Sequence, residues 1–185
     1  MGSHYISFQD QRSVTSSFAS RVGDPDECSS ALGFITIGFS WLEDSLSENI
    51  GLLADLTEKT APAITSELSF RVKVGVLSSL VRAQGDDKAW KVGSNDPHEV
   101  WNDIVRMLFE CEGLRNRIVH SSWSLPGRTR ITRTKTTAKP ARGVQVASER
   151  LTSDYLLDVY DYILNVQWVL DEFFLLSQEK QAHCS

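Results

Sequence analysis

Three polar side chains at the end of one apolar stretch have the types and spacing of a phosphodiester site. They stand in Cys111-Glu112-Gly113-Leu114-Arg115-Asn116-Arg117-Ile118-Val119-His120-Ser121-Ser122-Trp123. At ~100° per residue, Trp101, Ile104, Leu108 and Cys111 all fall within roughly 40° of Arg115, so Arg115 takes the next seat of an apolar stripe. A guanidinium does not neutralise itself by losing a proton, and an unpaired buried charge is costly. Arg115 must therefore meet an acid, carbonyl oxygens, a second subunit or a bound anion. Asn116 and His120 are four apart and share a face beside the stripe. An Arg offers a fork of donors to a phosphate and stabilises charge developing on its oxygens. A His titrating near neutrality can take a proton from an RNA 2′-hydroxyl or give one to a leaving oxygen. Asn116 could orient the imidazole or bind a phosphate oxygen. This chemistry requires no metal, and no second His or carboxylate lies at ligand spacing. The plainer reading stands beside it: an Arg and a His near a helix C-terminus also satisfy terminal carbonyls and the dipole.

A second set of charges lies between Ser124 and Ser148, with six basic residues (Arg128, Arg130, Arg133, Lys135, Lys139, Arg142) and no acid. Against a net charge of −5 for the chain, the rest carries a formal −11. Arg128, Arg130, Arg133 and Lys135 are candidates to track an RNA backbone without reading its sequence. The alternative is a solvated segment that offsets an acidic body. His4, His98 and His183 have no neighbours that suggest a role, and the five Trp residues read as packing. Cys28, Cys111 and Cys184 make neither a zinc cage nor a disulfide framework. No GxGxxG, Walker, HExxH or GxSxG pattern is present, which disfavours the chemistry of those scaffolds.

The elements that would position these groups follow from periodicity. The 185 residues are 41% hydrophobic and 23% charged, enough for one domain with a real core. Residues 1–24 are polar and read as a mobile leader. Asp24-Pro25-Asp26-Glu27 then has the look of a helix start. Leu32, Ile35, Phe39, Leu42, Leu46, Ile50 and Leu53 continue it at steps of three and four. Leu68, Val74, Leu77 and Val81 mark a second helix, ending near Gly85-Asp86-Asp87. Asn95 or Asp96 can cap a third, with Pro97 in its first position, running to about Val119. Thr152-Ser153-Asp154 caps the last, which carries Leu156, Val159, Ile163, Val166, Leu170 and Phe173 to about Gln178. Between the last two, Arg130-Ile131-Thr132-Arg133-Thr134 and Gly143-Val144-Gln145-Val146 suggest two short strands or a flexible arm. The expected fold is an all-α bundle of about four main helices over residues 25–181, with a basic insertion at 124–150. With no apolar run of ~18 residues and no secretion signal, a reduced cytoplasm and no membrane are expected.

Arg115-Asn116-Arg117-Ile118-Val119-His120 resembles the RNxxxH form of the Rx4–6H signature of the HEPN superfamily. Phe39-Ser40-Trp41-Leu42-Glu43 resembles the aromatic-then-Leu-Glu stretch of bacterial HEPN-like families, and Leu68-Ser69-Phe70-Arg71-Val72-Lys73 echoes it. The likeness covers roughly residues 28–178. It implies a compact helical bundle with the motif at the end of a late helix. It further implies a metal-independent endoribonuclease working through a 2′,3′-cyclic phosphate, without cofactors, with paired motifs from two protomers forming one cleft. Arg115 would sit on the scissile phosphate, His120 would act as acid or base, and Asn116 would accompany them. Glu43 is a candidate to pair with Arg115, or else an exposed helix carboxylate. The expected partners are RNA, a second copy of the chain and an inhibitory protein, as for a toxin or defence effector. Other members of the superfamily are inactive or only bind nucleic acid or nucleotides. The alternative is accordingly a non-catalytic helical module that binds nucleic acid or a protein.

Overall fold

The computed structural model describes residues 25–84, 96–127, 130–139 and 143–182; residues 25–26, 125–127, 130, 138–139 and 176–182 are described through the backbone alone. The leader at 1–24, the turns at 85–87 and 93–95, Trp90, Arg128, Arg142, His4, His183 and Cys184 lie outside the described residues.

Helix α1 (Pro25–Leu53) buries Ile35, Phe39, Leu42, Leu46 and Ile50, the seats its periodicity assigns to the core. A short helix α2 (Thr60–Thr65) follows, and the chain turns into α3 (Phe70–Ala83), capped by the Ser69 hydroxyl, which accepts from Val72 N at 3.4 Å. Helix α4 (Pro97–Val119) starts as expected: Pro97 takes the first turn and the Asp96 carboxylate accepts from His98 N at 2.9 Å. The last helix, α5 (Ser153–Ala182), opens with the Thr152 hydroxyl accepting from Tyr155 N at 3.2 Å. Helix α1 packs on all four of the others, and α4 packs on α3 and α5. The shared core includes Leu46, Leu77, Ile104, Leu108, Ile163 and Leu170. Trp101 lies within it against Phe173 and Phe174, with ring centroids 5.4 and 5.9 Å away.

The fold is predominantly helical but not purely so, which corrects the all-α expectation. The basic segment is a three-stranded antiparallel sheet in the order β1 (Ser122–Gly127), β2 (Arg130–Lys139), β3 (Gly143–Leu151). Alternating Thr, Val and Ile over this stretch favour extended backbone. The strands are longer than the expected short hairpin, and Ser122–Gly127 adds one that the sequence reading left out. Nor is the sheet wholly a loop outside the core. Its β2 base buries Ile131 and Arg133, and Trp123 and Leu151 pack beside them, while β3 exposes Val144 and Val146.

Candidate functional site

The end of α4 is held by the sheet that follows it. An α-helix leaves its last carbonyls without intrahelical partners, and three of them here are met by other groups. The Asn116 carbonyl accepts from His120 N at 3.2 Å. The Arg117 carbonyl accepts from Arg133 Nε at 2.6 Å and from the Ser121 hydroxyl at 2.7 Å. The Ile118 carbonyl accepts from Trp123 Nε1 at 3.1 Å. None of these three carbonyls takes a hydrogen bond from the side chain of Arg115 or His120.

Arg115 is half-buried rather than in the centre of the stripe. Val100, Met107, Leu114 and Ile118 are buried too, which moves the middle of the buried face roughly 40° away from Arg115. Its guanidinium lies over the Phe39 ring, 5.3 Å from the centroid, and Nη1 donates to Asn116 Oδ1 at 3.0 Å. The ring of α1 and the amide of α4 thus supply the partners that an embedded guanidinium demands. No ion pair joins Arg115 to Glu43, which is half-buried one turn beyond Phe39. His120 caps the helix with its backbone, and its side chain is exposed, with no hydrogen bond or ion pair among the described residues. Asn116 connects the two, its side chain bonded to Arg115 and its carbonyl to His120 N. No hydrogen bond joins the Arg115 and His120 side chains to each other. The helix end therefore offers a positioned guanidinium bonded to an amide, and an exposed imidazole five residues on from that guanidinium.

Of the four basic residues expected to track a phosphate backbone, Arg133 is placed differently. Arg133 is only 7% exposed, and its Nε and Nη1 donate within the protein. Besides the Arg117 carbonyl, Nε reaches the Ser121 hydroxyl at 2.8 Å, and Nη1 bonds to Glu149 Oε1. It is a structural residue, not a free phosphate ligand. A guanidinium at the base of the sheet is stable only when its donors are met. Glu149 also takes Arg117 Nε at 3.2 Å and Nη2 at 2.5 Å. The Arg117 hydrogen bonds, helped by Arg133, hold the Glu149 carboxyl below the usual carboxylate range. Lys135 is exposed on the outer part of β2. Arg130 has a strand position but its side chain is not among those described, and Arg128 lies outside the described residues.

Sequence reasoning missed Glu149, because pairing between strands is what places it. It stands one residue past the acid-free segment, and the strand register sets it directly across from Arg133. Among the described residues, no group of three or more His, Cys, Asp or Glu side chains could hold a metal ion. Among the same residues, no helix is long and apolar enough to cross a membrane. No protein-family model, no curated protein and no solved structure matches the chain.

Proposed function

We propose that the chain is a metal-independent endoribonuclease of the HEPN type, acting as a two-fold homodimer that brings two α4 ends to one cleft. The observation that supports it is an exposed imidazole not used in capping, at the same helix end as an Arg115 held in place by Phe39 and Asn116. In this reading Arg115 binds the scissile phosphate and stabilises charge on its oxygens. The RNA 2′-oxygen attacks the adjacent phosphorus and the bond to the 5′-oxygen breaks. A 2′,3′-cyclic phosphate and a 5′-hydroxyl result. One His120 removes the 2′-hydroxyl proton, and its two-fold mate protonates the leaving oxygen. A cytoplasmic toxin or defence effector, restrained by an inhibitory protein, is the setting that fits such an activity.

A second reading, a non-catalytic module that docks on a protein, is favoured by Phe34, Ile37 and Trp41. They lie exposed at helical spacing on α1. Cleavage of a mixed RNA pool in EDTA, with a chemical assay for cyclic phosphate ends, separates the two. His120→Ala should lower the rate by about 10²–10⁴ while the circular dichroism spectrum stays that of the wild type. Equal processing by both proteins, or none by the wild type, hands the chain to the second reading.

A further inference from the structure

A cavity of ≈ 600 Å³ opens between α1, the α1–α2 turn, α2 and the start of α3, and it shares no residue with the α4 end. Its body is largely apolar, lined by Leu52, Leu56, Ala61 and Pro62. Lys73 also lines it, and this is the unusual feature. The residue is only 7% exposed, and its ammonium has no hydrogen bond or ion pair among the described residues. Among the described residues Trp101 Nε1 is the only side-chain nitrogen or oxygen both sealed from solvent and unpartnered, so the ammonium of Lys73, a lining residue of the cavity, keeps some access to solvent. An ammonium on a largely buried side chain with no protein acceptor leaves its donors to whatever occupies the cavity, and a carboxylate entering this space would meet them.

The rim carries the opposite sign. Asp44, Glu48 and Glu58 are exposed around the same opening, and none of them lies within ion-pair distance of Lys73. One positive charge at depth and three negative charges at the mouth repel a dianion at the rim and a dication at the base. They complement a molecule with one carboxylate and at least one ammonium, separated by an apolar body. The volume lies within the range of small-molecule sites. We propose that this cavity binds a small zwitterion of amino-acid or dipeptide size. Its carboxylate sits on Lys73, and its ammonium lies among Asp44, Glu48 and Glu58.

The test is calorimetric titration of the full chain with a panel of free amino acids and dipeptides, matched to their C-terminal amides and N-acetyl forms. At least one free zwitterion should bind with Kd below about 1 mM. Its amide and its N-acetyl form should each bind at least about tenfold more weakly, the worth of one charge-assisted hydrogen bond. Lys73→Met should bind the free acid and the amide equally. The proposal is overturned if no member of the panel binds below that limit. It is equally overturned if amide and acid bind alike to the wild type, or if Lys73→Met still distinguishes them. Should Lys73→Met fail to fold, the acid-against-amide comparison on the wild type decides alone.

Discussion

Replacing Glu149 with Gln should loosen the docking of the sheet on the end of α4. The carboxylate holds two guanidinium groups of very different exposure. Arg117 is largely exposed, so its share is that of a surface pair, ~1 kcal/mol or less. Arg133 is buried, and removing the partner of a buried charge costs about 3–5 kcal/mol when nothing else compensates. Here compensation is partial, because Arg133 Nε keeps the Arg117 carbonyl and the Ser121 hydroxyl, and Gln keeps one acceptor oxygen. Glu149 is itself 31% exposed, so water replaces part of what is lost. A cost of about 2–3 kcal/mol follows, near that of one or two hydrogen bonds to a charged group. For a chain of this size it is a fall in Tm of about 4–12 °C.

The dependence on background and pH makes the test specific. With Arg133→Met already in place, Glu149→Gln should cost only the exposed Arg117 pair, so the two substitutions should couple by more than about 1 kcal/mol. The folded-state pKa of Glu149 lies below its ordinary value of 4.5. Its contribution is therefore complete above that value and is lost as pH falls through the lowered folded value. Wild type and Glu149→Gln should differ at neutral pH and draw together in stability as pH falls through that lowered value. Hydrogen exchange should quicken first in the last turn of α4, whose carbonyls the sheet holds. Equal cost of Glu149→Gln in both backgrounds, or a Tm change under about 1 °C at pH 7, would refute the reasoning.

Other substitutions follow from the same contacts. Arg115→Lys keeps the charge but loses the fork, so RNA cleavage should fall sharply while Tm stays nearly constant. Lys135→Ala should weaken RNA binding and flatten its salt slope by about one unit if Lys135 makes one phosphate contact, as a filter-binding series would measure. Lys73→Met keeps the buried stem and removes an ammonium that no protein group meets, so stability in urea unfolding should not fall by more than about 1 kcal/mol. Gly51→Ala brings a Cβ to 2.8 Å from Ala61 Cβ and should destabilise by ~1 kcal/mol or more, whereas Gly75→Ala meets nothing within 4 Å and should stabilise by up to ~1 kcal/mol through helix propensity. Burial, and then the charge of Glu110, push the Cys111 thiol well above its ordinary pKa, so native alkylation followed by peptide mass spectrometry should find Cys111 unmodified at pH 8.

The four long helices were legible because each buries one face over many turns, and a repeat of 3.6 is hard to mistake when seven residues keep it. The six-residue α2 is too short to carry such a repeat. The start of α4 was legible to the residue, since Asp96 and Pro97 act locally. What escaped was set by pairing across the chain. Whether a basic, Thr-rich stretch forms a loop or a sheet depends on what its strands meet. Nothing local says that Glu149 will stand opposite Arg133. The two arginines show the limit from both sides. Arg115 sits in the apolar register, yet it ends half-exposed because the buried face of α4 is centred to one side of it, through Val100, Met107, Leu114 and Ile118. Arg133 sits in a run that reads as solvated charge, yet it ends buried because strand alternation turns it inward beside Ile131. Charge pattern in sequence reports how many cations a segment holds, whereas the number of acceptors each one meets decides which remain available to a ligand. By that criterion Arg133 is committed to the fold, and Arg115 has an aromatic face and one amide oxygen. The α4 end therefore keeps a guanidinium with donors to spare and an imidazole with none of its capacity used, the two groups that a phosphodiester would require.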